Sequence, residues 1–105
     1  MPVTDFKERP GASVVTLPDR RWLECHIKSI ALLGSVLAAQ QAKEQGAVEA
    51  VLHRDSVVTE GSHTNVFAVV EGVLKTHPAN QLVLNGITRR IVLELAQQEG
   101  LLYEE

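Results

Sequence analysis

A chain of 105 residues, 45% hydrophobic and 22% charged, has apolar surface enough for one small core and no segment whose composition reads as disordered. Its net charge is −3 and its basic residues cluster no further than the pairs Arg20-Arg21 and Arg89-Arg90, which argues against a nucleic-acid partner. No apolar run is long enough for a bilayer, residues 1–5 do not open a signal peptide, and the single Cys25 can form no internal disulfide, so the reading is a cytoplasmic domain with a buried, reduced thiol and no membrane partner.

Residues 1–11 mix charges with Pro2, Pro10 and Gly11 and carry no core-forming pattern, as expected of a linker into a domain spanning 12–105. Residues 13–17 and 21–27 predict strands parted by the Pro18-Asp19 turn signal, and Lys28 falls where the second strand ends. From 30 to 45, Ile30, Leu33, Val36 and Leu37 keep helical spacing, with Ser29 placed as N-cap and Gly46 as the stop. The first half of this helix is almost wholly apolar, which predicts burial on most sides.

Residues 47–53 predict a strand, 54–56 a turn, and 57–59 a second strand running into the polar loop Thr59-Glu60-Gly61-Ser62-His63-Thr64-Asn65. Beyond the loop, 65–70 and 73–76 flank Glu71-Gly72, a two-residue hairpin connection. A short strand is expected over 81–84. Ile87, Ile91, Val92, Leu95 and Ala96 then mark a last helix, ended by Gly100 with Leu101 folding back on it. Trp22 and Phe67 are expected in the core. The fold class is α/β (α+β), one small domain with no internal repeat.

Three features could carry chemistry. Glu60 stands at the end of an apolar strand, where a carboxylate costs free energy unless a cation or donor faces it, and the candidate cation is Lys28. Lys28 sits between an apolar strand and an apolar helix, where the neutral, nucleophilic amine is favoured over the ammonium. The third feature is Asn85-Gly86-Ile87-Thr88-Arg89-Arg90, whose simplest role is to start a helix. Two arginines in a first helical turn oppose the dipole, however, and an anion docked at the free amides, with Thr88 on one side and Ser62 on the other, would relieve the misfit. An amine, a carboxylate and a phosphate cradle in one small domain suggest pyridoxal phosphate.

Arg21-Trp22-Leu23 with Ile27-Lys28-Ser29, Val58-Thr59-Glu60-Gly61-Ser62 with Asn65-Val66-Phe67, Leu74 with Thr76-His77-Pro78-Ala79-Asn80, and Asn85-Gly86-Ile87-Thr88-Arg89 resemble the fold-type IV pyridoxal-phosphate aminotransferases. Within that family the pattern is most similar to the D-amino acid (D-alanine) enzymes, with branched-chain aminotransferases and aminodeoxychorismate lyase sharing the lysine and the glutamate.

The resemblance runs from about Lys7 to the C-terminus and implies the large, cofactor-binding domain alone, a mixed sheet or pseudo-barrel flanked by two helices. It implies that Lys28 forms a Schiff base with the cofactor aldehyde and moves the proton, that Glu60 holds the pyridine nitrogen protonated, and that Leu84 lies against the ring. Ile87, Thr88, Ser62 and His63 would hold the phosphate. The implied activity is transamination between a D-amino acid and a 2-oxo acid by a homodimer, the alternatives being a branched-chain aminotransferase or aminodeoxychorismate lyase of the same fold, or a truncated, inactive fragment that binds the cofactor. His26 and His63 depart from the family pattern, which often has aspartate and a small hydroxyl residue there.

Overall fold

The computed structural model describes residues 9–105, so all but the last three residues of the expected linker over 1–11 lie outside the described residues. Eight elements follow: β1 (Val14–Pro18), α1 (Leu33–Glu44), β2 (Glu49–Arg54), β3 (Val57–Gly61), β4 (Phe67–Val70), β5 (Val73–Thr76), α2 (Ile87–Gln98) and β6 (Tyr103–Glu104). The expected mixed α/β architecture with two helices is present, its strands falling into two mixed three-stranded sheets, β1-β2-β3 and β4-β5-β6.

Each sheet combines one parallel and one antiparallel pair. β1 runs parallel to β2 from Val14 opposite Glu49 to Pro18 opposite His53, and β5 runs parallel to β6 with Leu74 opposite Tyr103. A parallel pair needs a long crossover, and α1 and α2 supply the two. The antiparallel pairs close through tight turns. Glu71 and Gly72 between β4 and β5 have φ of 51° and 78°, the double positive φ that a two-residue hairpin matched to strand twist requires. Between β2 and β3 the register shifts at Val51/His53, which bends the ladder where it approaches Glu60.

The core is small. Ala38 and Ala42 of α1 meet Ala50 and Leu52 of β2, with Val15, Leu17 and Ala47 packed at the edge. Alanine permits this because a methyl lets the helix backbone approach the sheet closely.

The rest of α1 corrects the expectation of burial on most sides: Leu33 is 73% exposed, Val36 58% and Leu37 61%. Only the alanine edge faces the sheet, so the larger apolar side chains point away from it. The helix also starts at Leu33 rather than Ile30, and Ser29 caps nothing in it, its hydroxyl instead accepting from the Ala31 amide. At the far end Gly46, at φ 73°, stops the chain as expected.

Two expected strands are absent. Residues 21–27 form turns because their polar groups are taken by side chains and loops: the Arg54 guanidinium bonds the carbonyls of Arg21 and Trp22, and the Cys25 amide donates to Gln81 O. Residues 81–84 are turns for the same reason, with the Leu84 amide on the Glu60 carboxylate and Leu84 O on the Asn65 side chain. Cys25 is buried and unpaired in a disulfide, and burial pushes its thiol up.

Trp22 is 45% exposed rather than core, and Phe67 is half-buried. At the end of α2 the Leu101 amide closes the expected bond to Ala96 O, although its side chain stays exposed. Among the described residues no helix is long and apolar enough to cross a membrane.

Leu52 is the largest fully buried side chain. Leu52→Ala is expected to lower unfolding free energy by about 2–5 kcal/mol, because the cavity adds to the lost transfer energy. Val57→Ala, at an exposed strand position, should stay within about 0.5 kcal/mol in the same urea titration.

Candidate active site

Thr59, Glu60 and Gly61 are not loop residues; they are the last three positions of β3 and all are buried. Strand geometry therefore fixes where the Glu60 carboxylate points, and Glu60 is only 5% exposed. The cation that faces it is Arg21, not Lys28: Arg21 Nη1 donates to Glu60 Oε1 at 2.6 Å. Lys28 is exposed. Arg21 wins because it is drawn inward two residues after Asp19, whose carboxylate takes Arg21 Nε at 2.9 Å and Nη2 at 2.8 Å. Lys28 lies in a turn segment that has no such anchor, so the desolvation expected of its amine is not met in this chain.

Two further donors reach Glu60. Asn65 Nδ2 bonds Oε2 at 2.9 Å, and the Leu84 amide is shared between the two oxygens at 3.1 and 3.2 Å. A carboxylate offers about four acceptor positions, and the three donors reach all four because the Leu84 amide spans both oxygens, which makes its shared bond the weakest of the set. Burial raises the Glu60 carboxyl, and the hydrogen bonds from Arg21 and Leu84 pull it back only in part, so it stays above its ordinary value. A further positive donor would have to replace one half of the bond shared with Leu84.

The expected acid, ring-face residue and helix entry do come together here. Asn65 Nδ2 bonds both Glu60 Oε2 and Leu84 O at 2.8 Å, and Asn65 Oδ1 lies where a side chain on Gly86 would collide with it, so only glycine fits at that helix entry. Gly86 is the N-cap of α2 with no side-chain cap, and the first intrahelical bond is Arg90 N to Gly86 O at 3.1 Å. The amides of Ile87, Thr88 and Arg89 therefore have no intrahelical acceptor. Ile87 and Thr88 are exposed, which leaves their end of the helix open to an anion.

Arg89 does not need that anion. It turns inward, almost fully buried, onto Asn85 Oδ1, His77 O and Glu105 Oε2. The first-turn charge misfit is thus relieved within the chain for Arg89, while Arg90 stays exposed. A cleft of about 280 Å³ lined by His26, Ala79, Asn80, Gln81 and Asn85 runs between the Lys28 segment and this helix entry.

Ser62 and His63 belong to a different arrangement. The Glu49 carboxylate on β2 collects the Ser62 hydroxyl and amide, the His63 amide and the Thr64 hydroxyl, with His63 Nδ1 at 3.2 Å. Burial raises this carboxyl, but the bonds from Ser62, Thr64 and the Ala50 amide outweigh it and hold it below its ordinary value. Ser62 has one hydroxyl proton and gives it to Glu49, so in this arrangement Ser62 shapes the loop rather than donating to an anion.

The sequence matches the model of the amino-transferase class IV family over residues 2–105. The chain belongs to that family. It is 48% identical over 99 residues to a D-alanine aminotransferase of Bacillus licheniformis, a match covering 94% of this chain and 35% of that one. Its structure resembles a branched-chain aminotransferase of Thermoproteus uzoniensis, solved with norvaline, at a TM-score of 0.84 and 31% identity over 100% of this chain and 37% of the other. It also resembles the PLP form of a branched-chain amino acid aminotransferase of Thermobaculum terrenum, at 0.82 and 28% over 98% and 36%. The chain thus spans about a third of the length of the relatives it matches. These likenesses place it in the fold-type IV aminotransferases.

Class IV membership gives the buried acid a ligand to be tested against. A protonated heterocyclic nitrogen would fit at Glu60 in place of one half of the shared Leu84 bond, and a phosphate would fit the open amides of α2. Pattern reading passes over Asp19 and Glu49 and gives Arg21, Thr59 and Asn65 no role of their own, since their types read as turn, surface pair and strand residues. Arg20-Arg21 directly after Pro18-Asp19 was the available signal, an acid and a base at a spacing that lets one turn join them.

Asp19 Oδ2 also takes the Thr59 hydroxyl at 2.7 Å and has Arg54 Nε at 3.3 Å. Burial raises the Asp19 carboxyl, and the bonds from Arg21 and Thr59 more than reverse this, to about 2 from 3.8. A carboxyl depressed in the folded state stabilises fully above its unfolded value and loses that contribution as pH falls through the folded one. The advantage of the wild type over Asp19→Asn should therefore shrink by about 2 kcal/mol between about pH 4 and pH 2, read from urea midpoints.

Proposed function

We propose that this chain, over residues 12–105, is the cofactor-binding part of a pyridoxal-phosphate-dependent aminotransferase that exchanges the amino group of a D-amino acid such as D-alanine with a 2-oxo acid. The observation that carries it is the buried Glu60 carboxylate, held by Arg21, Asn65 and a shared Leu84 amide bond that a ring N–H can replace, beside an α2 entry with open amides. The 48% identity to a D-alanine aminotransferase supports the substrate class. The exposed apolar residues Ile30, Leu33, Val36 and Leu37 support packing against further protein, in our reading within a cytoplasmic homodimer.

Each residue has a stated task. Glu60 holds a proton on the ring nitrogen, and Leu84, tied to Glu60 through its amide, presents its side chain to the ring. Ile87 and Thr88 take the phosphate with the first-turn amides of α2, and Ser62 and His63, braced by Glu49, close the loop on its other side. Lys28 supplies the amine that anchors the cofactor covalently and carries the proton removed from substrate Cα. When bound, the cofactor supplies the electron sink that no side chain of this chain can.

Incubation with pyridoxal phosphate followed by borohydride should fix one adduct, located by mass spectrometry on Lys28 and lost in Lys28→Ala. An adduct elsewhere, or none, would sink the reading. The likeness to the Thermoproteus uzoniensis enzyme at a TM-score of 0.84 favours a second reading, a branched-chain aminotransferase. Paired assays with D-alanine and with L-leucine, each against 2-oxoglutarate, separate the two. An adduct without turnover of either amino acid would mark a binding fragment.

A further inference from the structure

Asp19 and Arg21 lie outside every role assigned so far, yet both are buried and tightly bonded charges. The Asp19 side chain has no solvent exposure and that of Arg21 has 10%. Four of the five guanidinium N–H groups of Arg21 are committed: Nε and one of Nη2 to Asp19, the other Nη2 proton to Leu82 O at 3.1 Å, and one of Nη1 to Glu60. Its plane is therefore locked.

The network is also closed. Thr59, which donates to Asp19, immediately precedes Glu60 on β3, so the chain runs Asp19, Arg21, Glu60, strand backbone, Thr59 and back to Asp19. A closed ring of this kind leaves the Glu60 carboxylate no rotamer to move to without breaking a buried ion pair.

We propose that Asp19 and Arg21 are positioning residues that keep the Glu60 carboxylate ionised and turned so that the ring nitrogen of the cofactor can replace one half of the bond it shares with the Leu84 amide. The inference rests on the function proposed above. Arg21 alone would satisfy Glu60 too well, since a bidentate guanidinium competes with a ring N–H for the same oxygens. Asp19 takes both prongs of the Arg21 fork and leaves Glu60 a single bond from Nη1. The acid thereby keeps one weak bond, the one shared with the Leu84 amide, that a stronger donor can replace.

The test compares two ligands on the cofactor-free protein: pyridoxal phosphate, and its carbon analogue in which C–H replaces the ring nitrogen. Affinities are read from the fluorescence of Trp22, the only tryptophan, which adjoins Arg21. The wild type should prefer the nitrogen ring by about tenfold or more, the gain of one charge-assisted bond. In Arg21→Met, where Glu60 has lost its cation, and in Asp19→Asn, where the whole fork falls to Glu60, the preference should drop to within about twofold. Arg21→Lys, which keeps the charge without the fork, should fall between.

Damage to the scaffold lowers both affinities alike and leaves their ratio unchanged, and an unchanged ratio in the variants overturns the proposal. Should Arg21→Met fail to fold, Asp19→Asn, which preserves side-chain size, decides alone. A wild type that binds neither ligand, or binds both equally, instead overturns the assignment of Glu60 to the ring nitrogen and thus the functional reading itself.

Discussion

The structure depends on one buried ion pair, Arg21 with Glu60, and on the acid that holds the arginine in place. An unpaired carboxylate at the end of β3 would be untenable: removing one partner from a buried pair costs about 3–5 kcal/mol because the other charge is stranded. Glu60 is tolerated because Arg21 enters from the loop after β1 and spans to it at 2.6 Å. With Arg54 at 3.3 Å from Asp19, two acids and two guanidiniums balance in one cluster. The pieces of backbone around that cluster take their shape from it, not from their own periodicity.

This explains which parts of the fold were legible in the sequence. β1, β2, the β4-β5 hairpin and α2 follow from alternation, turn residues and helical spacing, because in each the backbone groups are satisfied within the element. Residues 21–27 and 81–84 have the same apolar, β-prone look and are not strands. Arg54 and Gln81 take the backbone of the first segment, and Glu60, Asn65 and Arg21 take that of the second. Side chains replaced a strand partner in both cases. Local rules give way where the chain builds a site, which is where such failures are expected.

The candidate site divides the same way. Glu60 was found because an acid after an apolar run is anomalous on composition alone, and Gly86 because a glycine before a helical stripe marks an N-terminus. The partner of Glu60 was assigned to Lys28 since lysine after an apolar run is a similar anomaly. Only the three-dimensional path of Asp19 and Arg21 shows that the pairing position is already filled. Lys28 is thereby left as an exposed amine outside the core.

Glu49 carries the argument one step further. The loop between β3 and β4 wraps its hydroxyls and amides around an internal carboxylate, so a loop that looks built for an anion already contains one. That leaves a division of labour between two carboxylates on adjacent strands. Glu49 is saturated by Ser62, Thr64 and Ala50 and is held below its ordinary value; Glu60 has fewer donors, one of them shared between its two oxygens, and sits above its own. The same residue type is thus structural at one position and available at the other, and what separates them is the number of donors each strand brings within reach.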